Sequence, residues 1–484
     1  MSHTVGQQRD SRWFALVVLC AGMLMIILDG TIVNVALPVI QADLDFSQSG
    51  LAWVINAYLI PFGGLLLLAG RTGDLIGRKR MFLGGLSVFT AASLLCGLAT
   101  SQGLLIAARF VQGVGGAMAA AVILGMIVTM FPEKGEQARA IAVFSFVAAA
   151  GGSIGLLAGG VLTEAISWHW IFFVNVPIGV VAFALALRSV PGERGVGLRE
   201  GADVLGAALV TGGLMLGVYT IVKAADYGWG STHTLLFGAG AVVLLVGFVA
   251  RQATSAKPLL PLRILKNRNV AGANLIQVLM VAGMFGMFFL GALYLERVLD
   301  YDPLQIGLGF LPVAVGIGGL SLGASARVNA RFGERNVLIG ALLLVAAGLA
   351  LFTRAPIDAN YFVDVFPAVT LMGIGAGLGF PAMMTLAMSD ATKDDSGVAS
   401  GLVNTTQQVG GALGLAVLAT VATSHTNGLV AEGSPVVEAM TSGYRVAFGI
   451  SAGLVALAAL LAVTVLRQPK VSVEQEELVP VTIG

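Results

Sequence analysis

The chain has 484 residues, of which 57% are hydrophobic and only 11% are charged, against about 25% charged in soluble domains. Mean hydropathy is +0.90, and the formal net charge is +1. So few charges cannot cover a soluble surface, so the chain reads as a polytopic membrane protein, and a net charge near zero gives no reason to expect nucleic-acid binding.

A membrane-spanning helix needs about 20 apolar residues. Measured this way, the chain offers fourteen spans: 13–38, 51–69, 81–100, 104–131, 140–163, 169–187, 202–222, 234–250, 269–295, 305–326, 336–353, 362–388, 397–423 and 445–466. The first, Trp13 to Pro38, is too long for a signal-peptide core and is followed by no small-residue cleavage site, so it reads as a helix that is retained. Lys and Arg then set the orientation. With the N-terminus inside, 22 of the 27 basic residues fall in cytoplasmic segments, among them Arg71, Arg78, Lys79, Arg80, Arg188, Arg194, Arg199, Arg263, Arg331, Arg335, Lys393, Arg467 and Lys470. Four fall outside (Lys223, Arg297, Arg354 and Arg445), and Arg109 lies within a span. Both termini are therefore expected in the cytoplasm of a multi-pass protein of the cell membrane.

Cysteine and histidine exclude further chemistry. Cys20 and Cys96 lie in apolar runs at different depths, too far apart to bridge, and read as packing residues. None of His3, His169, His233 and His425 is deep in a run, so no buried metal site is expected. No phosphate-binding Gly-x-x-x-x-Gly-Lys-Ser/Thr occurs, so ATP is not the direct fuel. His169 with Glu164 is too thin a constellation for an enzyme. No cofactor is expected.

The segment after the second span, Gly70 to Arg80, has a worn copy after the tenth, Arg331-Phe-Gly333-Glu-Arg335. That spacing divides the chain into a six-helix half at 1–188, a two-helix insert with cytoplasmic linkers at 189–268, a second six-helix half at 269–466 and a disordered tail at 467–484. Transporters are commonly built from such repeats, with the substrate site between them.

Gly70, Asp74, Gly77, Lys79 and Arg80 resemble the loop signature of the major facilitator superfamily, with Leu75 where a base is usual. Leu28-Asp29-Gly-Thr31 through Pro38, Trp53-Val-Ile-Asn56-Ala-Tyr58, Arg109-Phe-Val-Gln112-Gly113 and Trp168-His-Trp170 through Asn175-Val-Pro177 resemble its fourteen-helix drug:proton antiporter branch. The resemblance implies a proton-driven exporter of lipophilic drugs or metabolites working by alternating access, with small lipophilic substrates, protons and lipid as partners and a monomeric state. It also implies that the 70–80 loop, with Arg78, is a conformational switch. Gly70 and Gly77 would permit the turn, and Asp74 would accept from the helix start near Ser396. Arg78, Lys79 and Arg80 would pair with Glu133 or Glu136. An importing proton symporter and an exporter of lipid or envelope components are the other readings.

Two charges lie deep in spans. By the rise of about 1.5 Å per residue, Asp29 and Arg109 sit roughly 13 Å and 8 Å below the outer ends of their helices. Buried charges usually pair or carry ions. Burial disfavours an ionised carboxyl and a nearby guanidinium favours it, and that competition makes a proton switch. The resemblance assigns proton coupling to both residues.

Gly151, Gly155 and Gly159, with Gly160, give the fifth span a bare face for close helix contact, similar to the antiporter motif but with Leu156 in place of its proline. The expected partner is the tenth span, whose Gly309, Gly316 and Gly323 also share a face. Candidate cavity residues are Asn34, Trp53, Asn56, Tyr58, Gln112, Asn274, Gln277, Asn404, Gln407 and Gln408, with interhelical hydrogen bonding as the plainer reading. The Met280, Met284 and Met287 stripe reads as packing before it reads as a drug-binding wall.

Overall fold

The computed structural model describes residues 2–192, 195–197, 201–388 and 396–467. The tail beyond Arg467, and Arg194, Arg199, Lys393 and Lys470 of the topology count, lie outside the described residues. Among the described residues every regular element is a helix. The first five are α1 (Ser2–Asp43), α2 (Gln48–Ile76), α3 (Arg78–Gly97), α4 (Gln102–Met130) and α5 (Lys134–Ala165). The sixth span comprises α6 (Trp170–Phe173) and α7 (Asn175–Ser189), with Val174 between them still helical in its backbone, and α8 (Val204–Tyr227) and α9 (Thr232–Thr254) follow as a hairpin. Then come α10 (Arg268–Arg297) and a tenth span in three pieces, α11 (Pro303–Gly309), α12 (Leu311–Gly323) and α13 (Ser325–Phe332). The chain closes with α14 (Glu334–Phe352), α15 (Phe366–Met388), α16 (Ser396–Ala431) and α17 (Val436–Thr464).

Thirteen stretches among the described residues are long and apolar enough to cross a membrane. The 32-residue α5 is a further long helix, with an apolar stretch at Ile154–Ala165, so the count is close to the expected fourteen. Helices suit this composition because lipid offers no partner to an open backbone N–H or C=O. Their ends are capped where they leave it: Ser47 accepts from Gly50 N at 3.0 Å, and Asp302 and Gln305 form a reciprocal capping box on α11.

Prolines do not end these helices. Pro38, taken as the close of the first span, lies inside α1, which runs on to Asp43; Pro61 and Pro381 lie inside α2 and α15. Neighbouring helices support the backbone that each proline frees.

The two halves repeat their internal contacts. In the first, α5 lies on α1: a Cβ on Gly151 would meet Leu24 and Ile27, one on Gly155 would meet Thr31 Oγ1 and Leu28 O, and one on Gly159 would meet Ile32 O. In the second, α16 lies on α10 in the same way, with Gly410 against Val278 and Gly414 against Ala282. The short reversals also match. Gly77, at φ +103°, ends α2 and starts α3; Gly333, at φ +77°, ends α13 and starts α14. Both take a left-handed backbone that favours glycine.

The glycine face of α5 therefore does not meet the tenth span, contrary to expectation. That contact is made by the adjacent stripe: a Cβ on Gly160 would fall 2.8 Å from Pro303 O, and one on Gly307 would fall 2.9 Å from Leu156 O. One residue turns a helix by about 100°, so Gly159 and Gly160 serve different neighbours. Gly309 faces Leu295 and Tyr361, while Gly316 packs on Gly373 of α15; the side-chain surroundings of Gly323 lie outside the described residues. The four alternate glycines of α15 also divide, with Gly373 and Gly377 against α12 and Gly375 and Gly379 against α14.

A second seam joins the halves where α2 meets α16. Thr405 Oγ1 donates to Gly63 O at 3.1 Å, and the missing side chains of Gly63 and Gly401 admit Gln408 and Leu67. The inserted α8 lies along this seam and touches both sides. Thr211 packs on Gly64 of α2, and Thr420 of α16 donates to Ile221 O at 3.2 Å. Its start is fixed by Asp203, which accepts from Gly206 N (3.0 Å), Arg251 Nε (3.0 Å) and Gln252 Nε2 (2.9 Å). Burial pushes the Asp203 carboxyl up, but these bonds together hold it below the ordinary carboxylate range.

Candidate functional site

Four elements of the first half converge on Asp29. It comes from α1, Arg109 and Gln112 come from α4 one helical turn apart, Ser93 and Cys96 from α3, and Asn175 from the first position of α7. Val174, between α6 and α7, keeps helical backbone angles (φ −59°, ψ −28°), so Asn175 belongs to a continuous helical span. Asp29, Arg109, Gln112 and Asn175 are all fully buried.

Arg109 Nη1 donates to Asp29 Oδ2 at 2.5 Å and to Gln112 Oε1 at 2.7 Å, while its Nε donates to Val54 O of α2 at 2.9 Å. Gln112 Nε2 donates to Asp29 Oδ1 at 2.7 Å and to Ser93 Oγ at 2.8 Å. Asn175 Nδ2 donates to the same Asp29 Oδ1 at 2.9 Å. The Cys96 thiol lies 3.6 Å from Gln112 Oε1. The guanidinium stands 4.3 Å above the Tyr58 ring and 5.7 Å from that of Phe172. A desolvated charge is tolerable only when paired and hydrogen-bonded, and here every carboxylate oxygen is met by a donor. Asp29 is the only acid with no exposed surface among the described residues.

Asp29 and Arg109 were legible in the sequence as deep charges, and the structure brings them into contact. Gln112, read as a cavity residue, is the brace between them. Asn175 and Ser93 were not singled out; Asn175 stood only inside the Trp168–Pro177 stretch, and a lone amide in an otherwise apolar run was the signal available. Cys96, read as plain packing, touches the network.

The other cavity candidates divide. Trp53 is half-buried, and Tyr58 is buried with its hydroxyl 3.4 Å from Ile26 O. Asn34 turns onto its own helix, donating to Gly30 O and Thr31 O. Asn274 accepts from Thr406 Oγ1 at 2.8 Å, and Gln277 Nε2 donates to Val403 O at 3.2 Å; both tie α10 to α16 within one half. Asn404 is exposed, and Gln407 and Gln408 are half-buried on α16. Asn56 is fully buried on α2, with neither amide atom partnered. Met280, Met284 and Met287 are core side chains.

The 70–80 segment differs from its expected form. Gly70 lies inside α2, so the turn is made by Gly77 alone. Asp74 accepts from Arg78 Nε at 3.1 Å, and Arg78 Nη1 donates to Gly125 O of α4 at 3.2 Å. The expected contact at Ser396 lies outside the described side chains. Lys79 donates to Leu187 O, Arg80 is exposed, and Glu136 lies 3.9 Å from Arg12. Leu187 is among the last four residues of α7, whose carbonyls lack partners within the helix. The following linker docks here too: Val196 N and Gly197 N donate to Asp74 O and Leu75 O, each at 3.0 Å.

A family profile described as Major Facilitator Superfamily matches residues 19–415. The chain is 41% identical over 458 residues to the puromycin resistance protein pur8 of Streptomyces alboniger, covering 93% of this chain and 90% of that one. It is 39% identical over 454 residues to the cephamycin export protein CmcT of Amycolatopsis lactamdurans, covering 92% and 91%. Among solved structures, the nucleoside transporter NupG matches with a TM-score of 0.65 at 13% identity, over 94% of this chain and 100% of that one. A bacterial homolog of the lysosomal transporter Spinster matches at 0.65 and 16% identity, over 94% and 97%. At such identities the structural likeness speaks for the fold.

Proposed function

The chain belongs to the Major Facilitator Superfamily, and from that premise we propose that it is a proton-coupled exporter of lipophilic drugs or metabolites in the cell membrane, with both termini cytoplasmic. The observation that carries the coupling is the buried Asp29–Arg109 pair, braced by Gln112 and Asn175 inside one half. Relatives named for puromycin resistance and cephamycin export support outward transport of such compounds; their chemical difference leaves the substrate of this chain open among small lipophilic molecules.

The proposed cycle has a simple physical basis. A proton entering from outside neutralises Asp29 and loosens its hold on Arg109. Substrate arriving from the cytoplasmic side favours return of the proton. The halves exchange access by parting at one end of their seams, α5 on the tenth span and α2 on α16, and closing at the other. Asn56, buried without a partner on α2, one of the two helices of the second seam, is our candidate amide for meeting substrate. No ATP is consumed; the gradient drives the exchange.

The test is transport in proteoliposomes with an imposed pH gradient and a panel that includes puromycin. The wild-type protein moves at least one compound against its gradient, outward with respect to the cell. Asp29→Asn inserts normally but loses gradient-driven movement. Uphill transport by the Asn variant would overturn the assignment, and inward uphill movement by the wild-type protein would replace export with import.

A further inference from the structure

Asn175 is the member of the Asp29 network with spare capacity. Gln112 is committed at both ends: its oxygen accepts from Arg109 Nη1, and its nitrogen donates to Asp29 Oδ1 and Ser93 Oγ. Arg109 has no acceptor to offer. Asn175 makes one side-chain hydrogen bond, Nδ2 to Asp29 Oδ1, while its own Oδ1 is buried with no partner. Such a group carries a desolvation cost with no return in this state.

All the side-chain groups that touch the Asp29 carboxylate are N–H donors. That set suits an ionised carboxyl. Once protonated, the carboxyl presents an O–H of its own, and that hydrogen needs an acceptor. Turning Gln112 to supply one would break its bonds to Arg109 and Ser93 and would place its NH2 against the guanidinium. Turning the Asn175 amide by half a rotation about its terminal torsion breaks only the bond it is replacing, and brings the idle Oδ1 to face Asp29.

We propose that Asn175 is a positioning residue that reads the protonation state of Asp29 by reversing its amide. It donates through Nδ2 to the ionised carboxylate and accepts through Oδ1 from the protonated carboxyl. The step balances simply: one proton arrives and forms an O–H bond on Asp29, Asn175 stays neutral, and the proton leaves by the same bond. This rests on the reading of Asp29 as the proton site. Asn175 lies on the sixth span, so the reversal reads the proton from a helix other than those that carry Asp29 and Arg109. The charged and titratable groups facing Asp29 are Arg109 on α4, Tyr58 on α2 beneath the guanidinium, and Cys96 on α3 beside Gln112. On the helices packed against α1, α5 carries Lys134, Glu136 and Arg139 near its start and Glu164 near its end, α7 carries Arg188 at its far end, α10 carries Arg268 at its start and Glu296 and Arg297 at its end, and α11 carries no charged residue.

The experiment is infrared difference spectroscopy of the purified protein across a pH titration, with no substrate required. The wild-type spectrum contains a protonated-carboxyl band, absent in Asp29→Asn, and a side-chain amide band that changes in step with it. In Asn175→Leu the amide band disappears, and the midpoint of carboxyl protonation rises by about one pH unit, the tenfold preference expected when a charge-assisted bond is lost along with a weaker neutral one. In Asn175→Thr, whose hydroxyl both donates and accepts, the amide band disappears but the midpoint stays within about 0.3 unit, a small fraction of the tenfold step. If Asp29→Asn removes the carboxyl band while both Asn175 variants keep the amide band, or Asn175→Leu keeps the midpoint, the role of Asn175 is overturned and that of Asp29 stands. A carboxyl band that persists in Asp29→Asn overturns the proton-site reading itself. If Asn175→Leu does not fold, the amide band of Asn175→Thr decides.

Discussion

The two six-helix halves share a scaffold and differ in charge. Each packs its fifth helix on its first through glycines, Gly151, Gly155 and Gly159 in one and Gly410 and Gly414 in the other. Each turns between its second and third spans on a left-handed glycine, Gly77 or Gly333. Yet the interior of the first half holds a buried carboxylate and guanidinium, whereas α10 between Asn269 and Leu295 and all of α15 carry no charge. There the polar links are the neutral bonds of Asn274 and Gln277. Glycine stripes are therefore the common frame that lets helices approach closely, while the fully buried ion pair found among the described residues lies in the first half.

That contrast can be broken first at its charged centre. Arg109→Ala leaves the Asp29 carboxylate buried without its cation, which costs about 3–5 kcal/mol. Thermal unfolding in detergent should show the loss, and coupled transport should vanish with it. Arg109→Lys should recover part of both, since a point charge replaces a planar fork. The scaffold and the seam separate next. Gly155→Leu drives a side chain into Thr31 and Leu28 within one half and should destabilise by about 1–3 kcal/mol through overpacking. Gly160→Leu meets Pro303 across the halves and should spare thermal stability while stopping transport; a large drop in melting temperature for Gly160→Leu alone would reverse the two assignments.

Smaller effects sharpen the comparison. Gly77→Ala and Gly333→Ala each force a left-handed backbone on alanine and should cost about 1–3 kcal/mol. Equal losses by calorimetry would confirm that the two reversals are structural equivalents. Mildest should be Asn274→Leu and Gln277→Leu, which remove neutral interhelical bonds worth about 0.6 kcal/mol apiece. Efflux assays on these variants should stay within about threefold of wild type, the change in rate that such an energy permits. A complete loss of coupling would mean that the second half also handles the proton.

What the sequence determined by itself was the number of helices, their order, the reversal at Gly77 and the presence of two deep charges on α1 and α4. Those features depend on runs of apolar residues, on the distribution of Lys and Arg and on the expense of burying an ion, all of which are local along the chain. Which way each helix faces was decided only by the tertiary structure. In a soluble helix, polar residues mark the outer side; in these spans both lipid and protein neighbours are apolar, so periodicity carries little azimuthal information. That is why Gly151, Gly155 and Gly159 could be recognised as a contact face but not assigned to α1, and why the seam fell to Gly160 and Leu156 instead. Asn175 was hidden for a related reason. Its amide becomes part of the site because α1, α3 and α4 converge beside the sixth span, an arrangement made by packing between distant segments.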